Sequence, residues 1–391
     1  MPAVLDHVFE FIGRNLTPAR SKTRFFHEGW GDLALARDVA RRSLEYFDPT
    51  RPTTELKNSL AVIQWSASTA ADAGYGVGIV RQDATFESPF AEFLPPESRK
   101  VRFARLRPSG TDDASGTPVK KTRVAVLLPC TGDVDEWYRR SIARELLESG
   151  VECVIPTIAY YGERKPAEQW RHVLRSVAEA KIQFSVTPIE MMALIKALRS
   201  EASNEGRELE MCIAGVSLGG TMSALTANAL ARQGEPAAAS TAVCCVAAAN
   251  DCTPYTDGSI ETRLAWDVLC EQLPEEGEDG DVDSSCWGVN STGGASLKER
   301  ARGALLETMT ELNMSALVAE KSVRAAVFVT AKDDRFVGHT TEKFAQTLQT
   351  MAADEAGYSR EDFDGGHLQF IFGRKHVIAP SIKRAFDLIE R

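Results

Sequence analysis

The eight cysteines of this 391-residue chain include no Cys-x-x-Cys pair. That removes the usual spacing of a structural zinc site or a dithiol redox centre. Half of them (Cys153, Cys212, Cys244, Cys245) fall inside apolar runs, the pattern of reduced, buried thiols in an intracellular protein rather than of a disulfide framework. Long apolar runs are missing as well. No stretch approaches the roughly 20 residues that a membrane-spanning helix needs, and no secretory h-region is visible. A surplus of positive charge is lacking too: the formal net charge is −10, which argues against nucleic acid as a partner. No internal repeat and no metal-ligand spacing stand out, so neither a metal nor an organic cofactor is expected.

What is there suits one large α/β domain with insertions, or two domains. Apolar residues make up 43% and charged residues 26% of the chain, as in an ordinary globular protein. Apolar or alternating runs at 85–89, 101–106, 123–128, 151–156, 209–214, 242–249, 325–330 and 358–363 read as eight strands, most of them separated by helical stretches such as 137–148 and 340–351. The expected fold is a mostly parallel sheet with helices on both faces and right-handed crossovers. Within the helical region before 209, Thr187-Pro188-Ile189-Glu190 reads as a capping box with Pro at the first helical position. Residues 53–80 carry no clear pattern.

At the N-terminus, Val4, Val8 and Ile12 recur at a helical period beside Leu5 and Phe9. Asp6 and Glu10 lie among them, which favours a helix docked on the domain over a targeting or membrane-surface helix. Residues 1–84 are therefore read as a helical extension packed on the core, and 85–391 as the main domain. A cap insertion is expected at 251–300, where the acidic residues of 271–283 form a solvated loop rather than a metal site.

The chemistry centres on Gly215-Val216-Ser217-Leu218-Gly219-Gly220, which joins the apolar run 209–214 to an Ala/Leu-rich helical stretch, 221–232. Strand, sharp turn and helix with Ser at the apex form the nucleophile elbow of α/β-hydrolases. A strained Ser leaves no room for side chains two positions either side, hence the glycines. Asp333 and Asp334 follow the 325–330 strand, and His367 follows the 358–363 strand. Working groups in such sheets sit at the carboxyl ends of strands. The order Ser, Asp, His assigns Ser217 as nucleophile, His367 as base and an aspartate as its orienting acid. His339 is a weaker base candidate, being only five residues from Asp334. The Leu218 and Asp133 backbone N–H groups are the expected oxyanion donors.

Gly29-Trp30-Gly31, Thr131-Gly132-Asp133 with Trp137-Tyr138-Arg139-Arg140, Tyr160-Tyr161-Gly162-Glu163-Arg164-Lys165-Pro166, the elbow, Ala331-Lys332-Asp333-Asp334 and Gly365-Gly366-His367 occur together in this order. In this the chain resembles the eukaryotic α/β-hydrolase domain-containing protein 18 family. The resemblance implies that Asp334 rather than Asp333 is the acid. It also implies an intracellular serine hydrolase acting on lipid acyl esters such as phospholipids, mitochondrial in animal members. Peripheral membrane contact would follow from such a substrate. The acidic insertion departs from the family pattern. Arg164 and Lys165, on a strand-end loop, are candidates to hold a phosphate headgroup or else to pin the loop. A thioesterase or acyltransferase would use the same triad, and a binding protein the same fold.

Overall fold

The computed structural model describes residues 3–390 except 19, 49–60, 72, 110–120, 134, 234–239, 274–295, 311–316 and 374. Its centre is a ten-stranded sheet. The strands are β1 (Gln64–Trp65), β2 (Thr69–Ala70), β3 (Ile79–Glu87), β4 (Lys100–Pro108) and β5 (Lys121–Leu128). They continue with β6 (Glu152–Thr157), β7 (Glu208–Val216), β8 (Thr241–Val246), β9 (Ala325–Ala331) and β10 (Tyr358–Phe363). Their order is β1-β3-β4-β6-β5-β7-β8-β9-β10, with β2 also paired to β3. From β6 to β10 every pairing is parallel, whereas β3 and β4 run antiparallel.

The central strands are apolar on both sides because both sides are covered. On β5, Val124, Val126 and Leu128 enter one core, while Ala125 and Leu127 enter the other. The first core is closed by α2 (Leu33–Glu45), α4 (Val177–Asn204), α5 (Leu218–Arg232), α6 (Leu297–Met309) and α7 (Thr341–Met351). The second is closed by α3 (Trp137–Leu147), α8 (His367–Phe372) and α9 (Lys375–Ile389). The described cysteines are all free thiols, six of them buried.

The boundary expected between 84 and 85 falls inside β3, and the sheet already begins at Gln64. β1 and β2 have two residues each, too few for an alternating pattern to show. The capping box at Thr187 is also absent, because α4 runs straight through Pro188. Its N-cap is Ser176, whose side chain accepts from the Glu179 N–H. A mid-helix Pro removes one backbone bond. Nearby, the Ser185 and Thr187 hydroxyls donate to the carbonyls of Lys181 and Gln183 at 2.7 Å each, which keeps both side chains satisfied in this buried stretch. Of the acidic stretch, Glu271 is described and pairs with Arg20; residues 274–283 lie outside the described residues.

The helix α1 (Val4–Asn15) does dock on the domain, but inside out. Asp6 and Glu10 are buried, while Val8 is 49% and Phe11 58% exposed. The apolar period seen in the sequence marks its outer face.

Candidate active site

The elbow closes around backbone. A Cβ on Gly215 would lie 2.4 Å from the Gly219 carbonyl carbon, and one on Gly219 would lie 2.7 Å from the Leu128 oxygen. No side chain fits at either place, so α5 can start hard against β5. Ser217 itself takes φ 54° and ψ −120°, a region that costs about 1–3 kcal/mol for a non-glycine residue. The turn is held by Ser217 N–H donating to Val246 O at 2.8 Å and by Gly220 N–H donating to Ser217 O at 2.9 Å. Leu218 opens α5, and its N–H makes no hydrogen bond among the described residues.

Past the end of β9, Asp334 turns inward and Asp333 stays exposed. Asp334 Oδ1 accepts from the Phe336 and Val337 N–H groups at 2.8 and 2.9 Å, an Asx turn that fixes the carboxylate. Its Oδ2 is 2.8 Å from His367 Nδ1. His367 is buried, and the Phe336 ring stacks on it at 4.6 Å with an interplanar angle of 20°. Burial alone would push the imidazole pKa down. The charge and hydrogen bond of Asp334, with a further contribution from Asp6, outweigh burial and raise it. His367 Nε2 makes no hydrogen bond among the described residues, to Ser217 or to any other group.

Ser217 opens onto a cavity of about 40 Å³, room for one or two waters. Thr131, Leu218, Phe184, Pro254, Tyr255 and Phe336 are on its wall. Phe336 therefore has the cavity on one side and the imidazole on the other. Asp251 also lines it and is held below its ordinary pKa: burial opposes this, but Thr253 and Lys343 prevail. Pro254, Tyr255 and Ile260 come from the front of the stretch read as a cap. Phe336 was detectable from its place two residues after Asp334. Phe184, from the buried middle of α4, left no signal in the sequence.

Other histidines are differently placed. His339 is exposed, with Nε2 2.9 Å from Thr253 Oγ1. His172 packs on the turn before α3, where a Cβ on Gly132 would lie 3.6 Å from its ring, and burial pushes its pKa down to about 4.

Two expectations need correction. The Asp133 N–H is not open to a substrate, because it donates to Cys130 O at 3.1 Å. Its carboxylate is buried against Arg139 Nε at 2.6 Å. In that loop, Thr131 faces the cavity, and its N–H makes no hydrogen bond among the described residues. Arg164 is not at the rim either. It is completely buried, with Glu190 gripping both terminal nitrogens at 2.7 and 2.8 Å and the carbonyls of Thr157 and Ser98 accepting from the same two nitrogens. It pins the loop, as the second reading of that motif had it. Lys165 is half-buried and is not on the cavity wall.

A mostly parallel sheet, a serine at a strained strand-to-helix turn, and an Asp–His pair on two later strand-end loops define an α/β-hydrolase. A sequence profile of the family described as alpha/beta hydrolase domain containing 18 matches residues 23–388, and the chain belongs to that family. Solved structures similar in fold include an esterase of Rhizomucor miehei, at 16% identity and a TM-score of 0.49 over 100% of this chain and 98% of that one. Another is the acetyl xylan esterase of Paenibacillus sp. R4, at 11% identity and a TM-score of 0.49 over 90% and 92% of the two chains. Membership rests on the profile match. Among the described residues no helix is long and apolar enough to cross a membrane.

Proposed function

We propose that the protein is a serine hydrolase that cleaves an acyl ester through an acyl-enzyme on Ser217. The observation that carries this reading is the 2.8 Å contact between Asp334 and His367 Nδ1, on the same rim as a serine in elbow conformation. In this reading His367 Nε2 accepts the Ser217 proton as Oγ attacks the acyl carbonyl, then returns it to the departing alcohol. Water enters, loses a proton to the same nitrogen and releases the acid, restoring Ser217. Asp334 keeps the proton on Nδ1 between turnovers and stabilises the imidazolium when it forms. The Leu218 and Thr131 N–H groups serve the oxyanion, with Thr131 replacing Asp133. Forming the Ser217–His367 hydrogen bond is the adjustment that substrate must bring, as such bonds commonly tighten in the Michaelis complex.

The substrate we infer is a lipid acyl ester. Supporting this are the apolar cavity wall of Leu218, Phe184, Tyr255, Ile260 and Phe336, and the apolar outer face of α1. A long chain enters only if a wall residue such as Phe184 or Tyr255 swings aside, since about 40 Å³ does not hold one. The free, buried thiols fit a reducing, intracellular setting.

A fluorophosphonate probe tests the reading. It is expected to label the wild-type chain and not Ser217→Ala; a folded wild type that stays unlabelled points to a binding protein. Turnover of short-chain nitrophenyl esters compared with long-chain phospholipids then tests the lipid substrate, which fails if only the short esters react.

A further inference from the structure

Asp6 precedes His367 by 361 positions, yet its carboxylate joins both loops of the acid–base pair. Oδ2 accepts from the His367 N–H at 2.9 Å and from the Arg335 N–H at 3.3 Å, and Oδ1 accepts from the Leu368 N–H at 3.0 Å. His367 and Leu368 open α8, where amides have no partner within the helix and a negative charge is favoured. Arg335 directly follows Asp334. One buried carboxylate thus references the base and its acid to a common point.

The rest of α1 reinforces the same place. Glu10, one turn on, takes the Arg335 guanidinium at 2.7 and 3.1 Å and the Ser259 hydroxyl at 2.7 Å. Phe9 packs on Phe336 at 5.0 Å, and Phe336 stacks on the imidazole. The fit is tight: a Cβ on Gly366 would lie 2.6 Å from Asp6 Oδ2. These contacts also explain why α1 hides its acids. Each buried carboxylate oxygen is matched by backbone amides or a guanidinium, which removes the usual cost of burial.

We propose that Asp6 is a positioning residue for the Asp334–His367 pair, an inference that rests on the hydrolase reading above. It touches no reacting atom. It sets the backbone from which the imidazole projects and holds that loop against the one carrying Asp334. The charged groups that act on the imidazole are Asp334 from the loop after β9 and Asp6 from α1, both favouring its protonated form. Arg335, in the same loop, is engaged by Glu10.

Two variants of the full chain test this. Asp6→Asn keeps the shape and loses the charge; Asp6→Glu keeps the charge and displaces it by a methylene. With esters, Asp6→Asn is expected to lose about 10–100-fold in kcat with little change in KM, as a misplaced catalytic group does. The acid limb of its kcat/KM profile is expected at lower pH than wild type. Asp6→Glu is expected to lose kcat while its acid limb stays near the wild-type position. A role in folding alone would lower the unfolding midpoint and leave kcat per active molecule and the pH limb unmoved, and that result overturns the proposal. So does wild-type kcat in Asp6→Glu, should Asp6→Asn not fold. If wild type neither reacts with the fluorophosphonate nor turns over esters, it is the hydrolase reading that has failed. The His367 imidazole titration followed by NMR, which needs no turnover, then judges Asp6: a lower midpoint in Asp6→Asn supports the coupling, and an unchanged one overturns it.

Discussion

The loops after β6 and after β9 each bury an ion pair at a strand end, yet the two pairs differ in what they leave open. Arg164 and Glu190 are both fully buried, and four of the five guanidinium N–H donors are spent on Glu190 and two carbonyls. Asp334 and His367 are buried almost as deeply, and the carboxylate is just as fully used. Among the described residues the imidazole keeps one ring nitrogen without a partner. The Arg164 Nε–H is unpartnered too, but a guanidinium N–H can only donate, so that pair holds a loop, whereas the imidazole nitrogen can take up a proton. Depth of burial does not tell them apart; the unspent lone pair does.

Breaking each pair should therefore have different consequences. The largest effect is expected from Asp334→Asn, which leaves the base in the wrong tautomer: kcat should fall about 10⁴-fold, while the variant still unfolds cooperatively in denaturant. Glu190→Gln should do the reverse. It strands the Arg164 guanidinium without its counter-charge, and urea unfolding is expected to show a loss of about 3–5 kcal/mol with kcat per folded molecule unchanged. A fall in kcat without loss of stability in that variant would break the comparison.

The pH dependence sharpens it. His367 must be neutral to act as base, and its pKa is raised above the ordinary 6.5. The acid limb of kcat/KM should then have its midpoint above that value, with activity rising as pH increases. The same direction means that the pair contributes fully to stability below the unfolded histidine pKa, and that this contribution fades as pH rises past the folded one. Unfolding midpoints of wild type and His367→Gln across this range should converge at the alkaline end. The smallest effect is expected at the surface: Arg144 and Glu148 pair one helical turn apart at more than half exposure, and Arg144→Ala should cost about 0.5 kcal/mol or less in the same urea assay.

The glycines around Ser217 made the elbow readable because backbone crowding permits nothing else there, and the structure shows Gly219 touching β5. The inner strands were equally legible, since burial on both faces leaves only apolar residues to choose. Partners distant in sequence were not. Glu190 reads as a helix cap beside Pro188, and only the fold shows that it meets Arg164, 26 residues earlier. The Asp133 amide looked suitable by its place in the loop, but its own turn consumes it through Cys130 O. In α1 the apolar period was correct and its orientation inverted, because three amides and a guanidinium drew the acids inward.

Ala3, just ahead of α1, packs against the residue before His367: its Cα would be 2.9 Å from a Cβ on Gly366. A bulky label attached beside Ala3 is therefore a modification of the working parts rather than a handle. Preparations labelled there and on the exposed side of α3 at Arg144 should differ in specific activity, and the second is the one to assay.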